Sequence, residues 1–202
     1  NEAKRILLET GPEIKRPKKT HTKPEIVRLG KKKPFVTCKK ALEKIPEWAE
    51  NQQETRHDER VIRRLKKTRQ GENVWDLDDD EDGLPNVKSA RMSHIYKRLD
   101  STKPAYTVTG SGGGGTHVYH FEEDRALTNR ERARLQTFPD RYEFSGSKES
   151  QRRQIGMAVP VLGAKLILTN LLKTLHGVEY KSVPNNINLS EYTALKQLKL
   201  DL

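Results

Sequence analysis

The sequence predicts an α+β fold, a set of short strands and helices followed by one long apolar helix that requires a surface to lie against. Three observations carry that expectation. Ala105 to Thr109 and Thr116 to Phe121 are rich in β-branched and aromatic side chains and flank the glycine-rich run Gly110 to Gly115, so each reads as a strand beside a flexible loop. Thr128 stands three places before Glu131, the spacing at which hydroxyl and carboxylate satisfy the free amides of a helix start, and Pro139 stops the helix read over 128–138. Pro160 suits a first helical position, and Val161, Leu162, Ala164, Leu166, Ile167, Leu168, Leu171, Leu172 and Leu175 cover most sides of the helix that follows. Such a helix is expected to be buried against something large, a sheet above all.

The other elements follow in chain order. Residues 4–8 (KRILL) read as the end of a buried strand, after which Pro12, Pro17, Pro24 and Pro34 keep a basic arm extended. Residues 37–50 start a short helix that Pro46 should end, and 55–69 place Val61, Ile62 and Leu65 on one face of a basic helix. That helix either lies on a phosphate backbone or is an ordinary helix with one apolar stripe. Trp75 to Gly83 is an acidic, solvent-facing loop without the spacing of a calcium site. Gly110 to Gly115 has the glycine spacing of a dinucleotide fingerprint, but that chemistry needs a helix start straight afterwards, and Thr116 to Phe121 reads as a strand. The run is therefore either a place where a backbone comes close to something or a plain hairpin connection. The tail after Gly177 is polar.

Composition limits the function classes. The 202 residues are 33% hydrophobic and carry a net charge of +11, so part of the chain is expected to be loop, arm or a surface awaiting a partner. The single Cys38 excludes an internal disulfide and a multi-thiolate zinc site, and it reads as an ordinary residue. His117 and His120 would face opposite sides of an alternating segment, so no shared metal is expected. There is no run of 18 apolar residues and no secretory signal, from which a soluble, intracellular, cytoplasmic protein is expected. The opening Asn1 suggests a processed, trimmed or partial chain. Residues 1–40 carry 13 basic and 4 acidic side chains, 41–125 carry 14 and 17, and 126–202 carry 12 and 7. A basic excess concentrated in the arm attracts phosphate, which favours nucleic acid as partner; a solvated basic loop is the alternative.

Two further signatures occur in order. Arg125-Ala126-Leu127-Thr128-Asn129-Arg130-Glu131 continues into Leu135-Gln136-Thr137-Phe138-Pro139-Asp140, and Gln154-Ile155-Gly156-Met157-Ala158-Val159-Pro160 follows after Phe144-Ser145-Gly146-Ser147. They resemble the ninth and tenth motifs of the bacterial DNA (cytosine-5) methyltransferases of restriction-modification systems. Tyr96 to Asp100 and Lys103 to Gly110, with the pair Thr107-Val108, resemble the end of that family's target-recognition region, and Asn1 to Leu7 is similar to the end of its eighth motif. Met157 stands where the family usually has Asn, and a thioether cannot make an amide's hydrogen bonds.

The resemblance implies residues 1–36 as the end of the eighth motif and a basic arm, 37–124 as target-recognition region, 125–176 as part of the catalytic-domain fold and 177–202 as tail. The apolar helix would complete a Rossmann-like α/β methyltransferase domain. It implies DNA contacts at Arg98, Thr107, Val108, Gly110, Ser111, Gly112, Gly113, His117, Tyr119, Arg125 and Arg130, with Arg5 on the extruded cytosine. Gly156, Met157 and Ala158 would lie beside the methionine end of S-adenosylmethionine. The reaction needs a thiolate to attack carbon-6 and an acid to protonate the ring. The family's Pro-Cys loop is absent from the sequence, and Glu72-Asn73-Val74 spells its acid motif by accident, between a basic helix and an acidic loop. The expected protein is thus the recognition part of a methyltransferase, with duplex DNA and a catalytic half as partners, inactive alone. A non-catalytic, sequence-specific DNA-binding module is the competing class, and a helix-turn-helix regulator on residues 37–69 a weaker one.

Overall fold

A computed structural model of the chain describes residues 16–17, 21–22, 33–74, 95–112 and 116–183. They fall into two compact units, Pro34–Leu162 and a second made from Asn1–Lys33 and Gly163–Leu202. The expectations for residues 4–8, for Arg5, for the acidic run and for Gly113 lie outside the described residues.

Among the described residues, four helices frame the Pro34–Leu162 unit. The first, α1 (Cys38–Leu42), opens on Thr37, whose hydroxyl accepts from the Lys40 amide. It ends before Pro46 is reached, because the backbone turns left-handed at Lys44 (φ 53). Asp58 caps α2 (Glu59–Lys67), which buries Leu65 completely and Val61 partly, the apolar stripe its sequence predicts. The reciprocal cap of α3 (Asn129–Leu135) is present: the Glu131 amide donates to Thr128 Oγ1 at 3.1 Å, and the Thr128 amide donates to Glu131 Oε2 at 2.7 Å. No apolar periodicity announces α4 (Lys148–Met157), which opens on Ser147 and buries Gln151, Arg152 and Ile155. Helix α3 packs on both α1 and α4. The helix-turn-helix reading fails here, since irregular backbone over 43–58 separates α1 from α2.

Residues 105–109 and 116–121 are not regular strands. Tyr119 alone makes bridges, parallel to Arg98 and antiparallel to Ala126. The segment threads between two others: the Leu99 amide donates to the Tyr119 carbonyl at 3.0 Å, and the Leu127 amide to the Val118 carbonyl at 2.9 Å. His117 through Phe121 are all buried, so the in-and-out alternation of a half-exposed strand gives way to cover on both faces. The core forms around this thread, with Cys38, Leu99, Val118, Phe121 and Leu127 in one cluster and Leu65, Ile95, Tyr96, Tyr119 and Ala126 in another. A third, Val108, Ala133, Phe144 and Ile155, joins α3 to α4.

Among the described residues, strands are two-residue ribbons only. β1 (Arg16–Pro17) pairs antiparallel with β4 (Ser182–Val183), and β2 (His21–Thr22) pairs with β3 (Lys33–Pro34).

Helix α5 (Val161–Leu175) begins straight after Pro160, as its sequence predicts. The expectation of burial is overturned within this chain. Leu162, Leu166, Ile167, Leu168, Leu172 and Leu175 are 50–63% exposed, and Asn170 is the helix's buried residue. By length and composition the stretch Lys148–Leu175 is long and apolar enough to cross a membrane, which the absence of an unbroken apolar run did not suggest. Irregular backbone at Ala158–Pro160 divides it into α4 and α5, and the 15 residues of α5 rise about 22 Å, short of a ~30 Å hydrocarbon layer.

Candidate nucleic-acid interface

The three arginines expected on DNA are held by hydrogen bonds within the protein. Arg98 is 5% exposed, and its guanidinium donates to the carbonyls of Leu65 (2.6 Å), His120 (3.0 Å) and Glu123 (2.9 Å) and to Asp124 (2.9 Å). Arg130 is fully buried and donates to the carbonyls of Glu50 (2.8 Å), Pro139 (3.2 Å) and Tyr142 (2.6 Å). Arg125 is gripped by both Glu131 oxygens at 2.8 Å and by Glu123 at 2.7 Å, and this carboxylate pairing drives its pKa further up. The cause is common to Arg98 and Arg130. Irregular backbone leaves carbonyls without a ladder partner, and one guanidinium satisfies several of them.

His117 and Tyr119 are also buried, against the expectation that they reach a groove. Burial and the cations of Arg132 and Arg152 push the His117 pKa down to about 4, so the ring is neutral at physiological pH. Burial pushes the His120 pKa down, and its Nδ1 accepts from the amides of Glu122 and Glu123. Cys38 is 1% exposed, and its thiol is pushed up to about 11 by burial and by Asp100, the opposite of an activated nucleophile. Glu72 accepts from the Arg69 amide in a local turn.

The exposed part of the expected site is narrow. Thr107 and Ser111 are exposed, and Thr109, also exposed, shares a hydroxyl hydrogen bond of 2.8 Å with Ser111. Val108 faces inward to the third core cluster. The glycines on either side serve the protein's own packing. A Cβ on Gly156 would fall 1.9 Å from the Gly110 amide nitrogen, so α4 lies directly on the Thr109–Gly110 main chain. A Cβ on Gly112 would fall 2.4 Å from the Arg152 guanidinium carbon.

Two cations were not anticipated. Arg132 on α3 and Arg152 on α4 are 1% and 9% exposed. Helical spacing contained the signal for Arg152, which stands three places before buried Ile155 and four before Gly156 and so shares their face.

A model of the C-5 cytosine-specific DNA methylase family matches residues 5–173. The chain belongs to that family. Type II methyltransferase M.BbvI of Brevibacillus brevis is 53% identical over 163 residues, which cover 81% of this chain and 44% of M.BbvI. M.NgoFVII of Neisseria gonorrhoeae is 40% identical over 167 residues, 83% of this chain and 43% of that protein. The chain therefore spans less than half the length of these two relatives. M.AquIB of a Picosynechococcus species is 34% identical over 128 residues, which make up 58% of this chain and 83% of M.AquIB.

Cytosine-5 methylases take their methyl group from S-adenosylmethionine. Of the residues aligned with its site, Gly156 is occupied by packing, the Ala158 carbonyl accepts from Gln136 Nε2 at 3.2 Å, and Met157 is 78% exposed. A cavity of about 370 Å³ beside them is lined by Ala105, Tyr106, Thr107, Val108, Leu135, Gln136, Gly156, Ala158 and Pro160. No carboxylate, ammonium or guanidinium is in that lining, so these residues do not by themselves fit a cofactor bearing a sulfonium, an ammonium and a carboxylate.

Proposed function

We propose that this chain is the DNA-recognition part of a cytosine-5 DNA methyltransferase. It takes part in methyl transfer from S-adenosylmethionine to cytosine in duplex DNA when joined to a catalytic half, and it is inactive alone. The exposed apolar surface of α5 carries this reading. Covering a single Leu or Ile side chain is worth about 1.5–3 kcal/mol, and six of the exposed residues lie along one 15-residue helix. A face of this kind is a docking surface for another polypeptide segment. The Rossmann-like sheet of a catalytic half, whether a separate subunit or a preceding part of a longer chain, is the partner of the right chemistry. M.AquIB supports the separate form, being a relative short enough for 128 aligned residues to cover 83% of it.

The chemistry divides in the same way. Attack on carbon-6 needs a thiolate, and the buried Cys38, with its raised pKa, does not supply one. The recognition part contributes positioning. Thr107, Thr109 and Ser111 offer exposed hydroxyls to phosphate oxygens, and the adjoining glycine run allows close approach to a backbone distorted by base extrusion. The expected outcome of a methylation assay is no transfer by the chain alone and transfer when a polypeptide carrying the Pro-Cys loop is added with cofactor. A mobility shift run in parallel separates the competing class: sequence-specific binding by the chain alone, with no partner restoring transfer, identifies a non-catalytic module.

A further inference from the structure

Arg132 and Arg152 differ from Arg98, Arg125 and Arg130 in what surrounds them. Arg98, Arg125 and Arg130 end on carbonyls or carboxylates at ordinary hydrogen-bond distances. Arg132 Nη1 reaches the Thr109 carbonyl only at 3.4 Å, its Nη2 lies 3.4 Å from His117 Nδ1, and its buried Nε has no partner. The buried Nε of Arg152 has none either. Among the described residues no carboxylate forms an ion pair with either side chain. Of the other basic groups that face them, Lys148 adds to the excess, while burial lowers the pKa of both His57 and His117. The acids in range are already engaged. Glu131 holds Arg125 with both oxygens, and the Glu54 carboxylate pairs with Arg125 at 3.4 Å. Two buried guanidiniums that reach the same Thr109–Gly112 turn and have no counter-charge among the described residues are costly, and an anion removes that cost.

We propose that Arg132 and Arg152 form a binding site for a phosphate group, namely a backbone phosphodiester of the DNA. The place agrees with the ligand. Gly112, by lacking a Cβ, lets the main chain lie against the Arg152 guanidinium, and the exposed hydroxyls of Thr109 and Ser111 stand at the same turn of chain. Arg132 comes from α3 and Arg152 from α4, so a phosphate between them draws on two helices at once. Planar guanidiniums with free Nε–H groups suit the tetrahedral oxygens of phosphate. The site deepens the proposed role in DNA recognition and rests on it for the source of the phosphate.

The test uses the full 202-residue chain and two probes, inorganic phosphate and a duplex oligonucleotide. Phosphate is expected to raise the thermal midpoint above that in sodium chloride of equal ionic strength. Arg152→Met should abolish that rise without lowering the midpoint in chloride, since it replaces an unpaired buried charge by an apolar side chain of similar length. With duplex DNA, the slope of log affinity against log salt should fall by about 0.9, the share of a single phosphate that the variant no longer neutralises. A lowered midpoint in chloride with an intact phosphate response overturns the proposal and makes the pair structural. Arg152→Lys, which keeps the charge and loses the planar fork, covers the case in which Arg152→Met does not fold. It should weaken the phosphate response, and its failure to fold as well overturns the site. DNA binding with an unchanged salt slope and no phosphate response removes the site and leaves the recognition role standing. A phosphate response abolished in Arg152→Met, in a chain that never binds DNA even with its catalytic half, keeps the anion site and overturns its assignment to DNA and the recognition role.

Discussion

In the Pro34–Leu162 unit, guanidiniums are inside; on α5, leucines are outside. Arg98, Arg130 and Arg132 are at most 5% exposed, while Leu162, Leu168 and Leu175 are more than half exposed. Residue type alone would assign these positions the other way round. The difference teaches where each region's interactions are completed. The Pro34–Leu162 unit is built on irregular backbone and uses Arg98 and Arg130 to collect its unpaired carbonyls, while the Nε groups of Arg132 and Arg152 stay without a partner. Helix α5 satisfies its backbone by its own ladder and leaves its apolar surface for something else to cover.

The contrast can be broken most strongly at Arg130. Arg130→Met strands the carbonyls of Glu50, Pro139 and Tyr142, and should cost about 4 kcal/mol of folding stability, read from urea denaturation. A loss under about 1 kcal/mol would mean that the guanidinium is not the staple its hydrogen bonds describe. The pH dependence sharpens the same region. The folded-state pKa of His117 is pushed down to about 4, and those of His57 and His120 are also lowered by burial. The unfolded chain therefore binds more protons below the ordinary histidine range, and stability present at pH 7 is lost as pH falls from about 6.5 to 4. The thermal midpoint should drop across that window by the equivalent of about 2 kcal/mol, discounted for partial solvent screening. A flat midpoint would place these rings in water. The smallest effect belongs to α5. Leu166→Gln, Leu168→Gln and Leu172→Gln together should change the stability of the isolated chain by no more than about 0.5 kcal/mol for each side chain. The same triple variant should abolish co-sedimentation with a catalytic-half polypeptide. A collapse of the chain's own stability would show that α5 is covered from within.

Much of the helical frame was legible. The Thr128–Glu131 pair gave α3, Pro160 and the leucines gave α5 with its bounds, and Val61 with Leu65 gave the inner face of α2. These signals are local, set by caps, proline and spacing. The fate of the arginines was not legible, because charge in a sequence does not say whether a guanidinium meets solvent, DNA or the carbonyl of a distant loop. Arg130 finds Glu50, 80 residues away, and nothing near Arg130 announces it. Helix α4 was missed because its buried face is Gln151, Arg152 and Ile155, two polar residues and one apolar. The β-rich look of 105–109 and 116–121 came from side chains that pack in a core, a role that irregular chain fills as readily as strand.

Asn51 has a consequence for how the protein is made. Its backbone is left-handed (φ 70), and its side-chain amide exchanges two hydrogen bonds with the main chain of Phe144, 93 residues later, both at 3.0 Å. On the ribosome, the stretch around Asn51 emerges long before its mate and has to wait for it. The Pro34–Leu162 unit is thus locked by nearly its last-synthesised residues, and a transcript truncated ahead of Phe144 would yield an unfastened polypeptide rather than a smaller working piece.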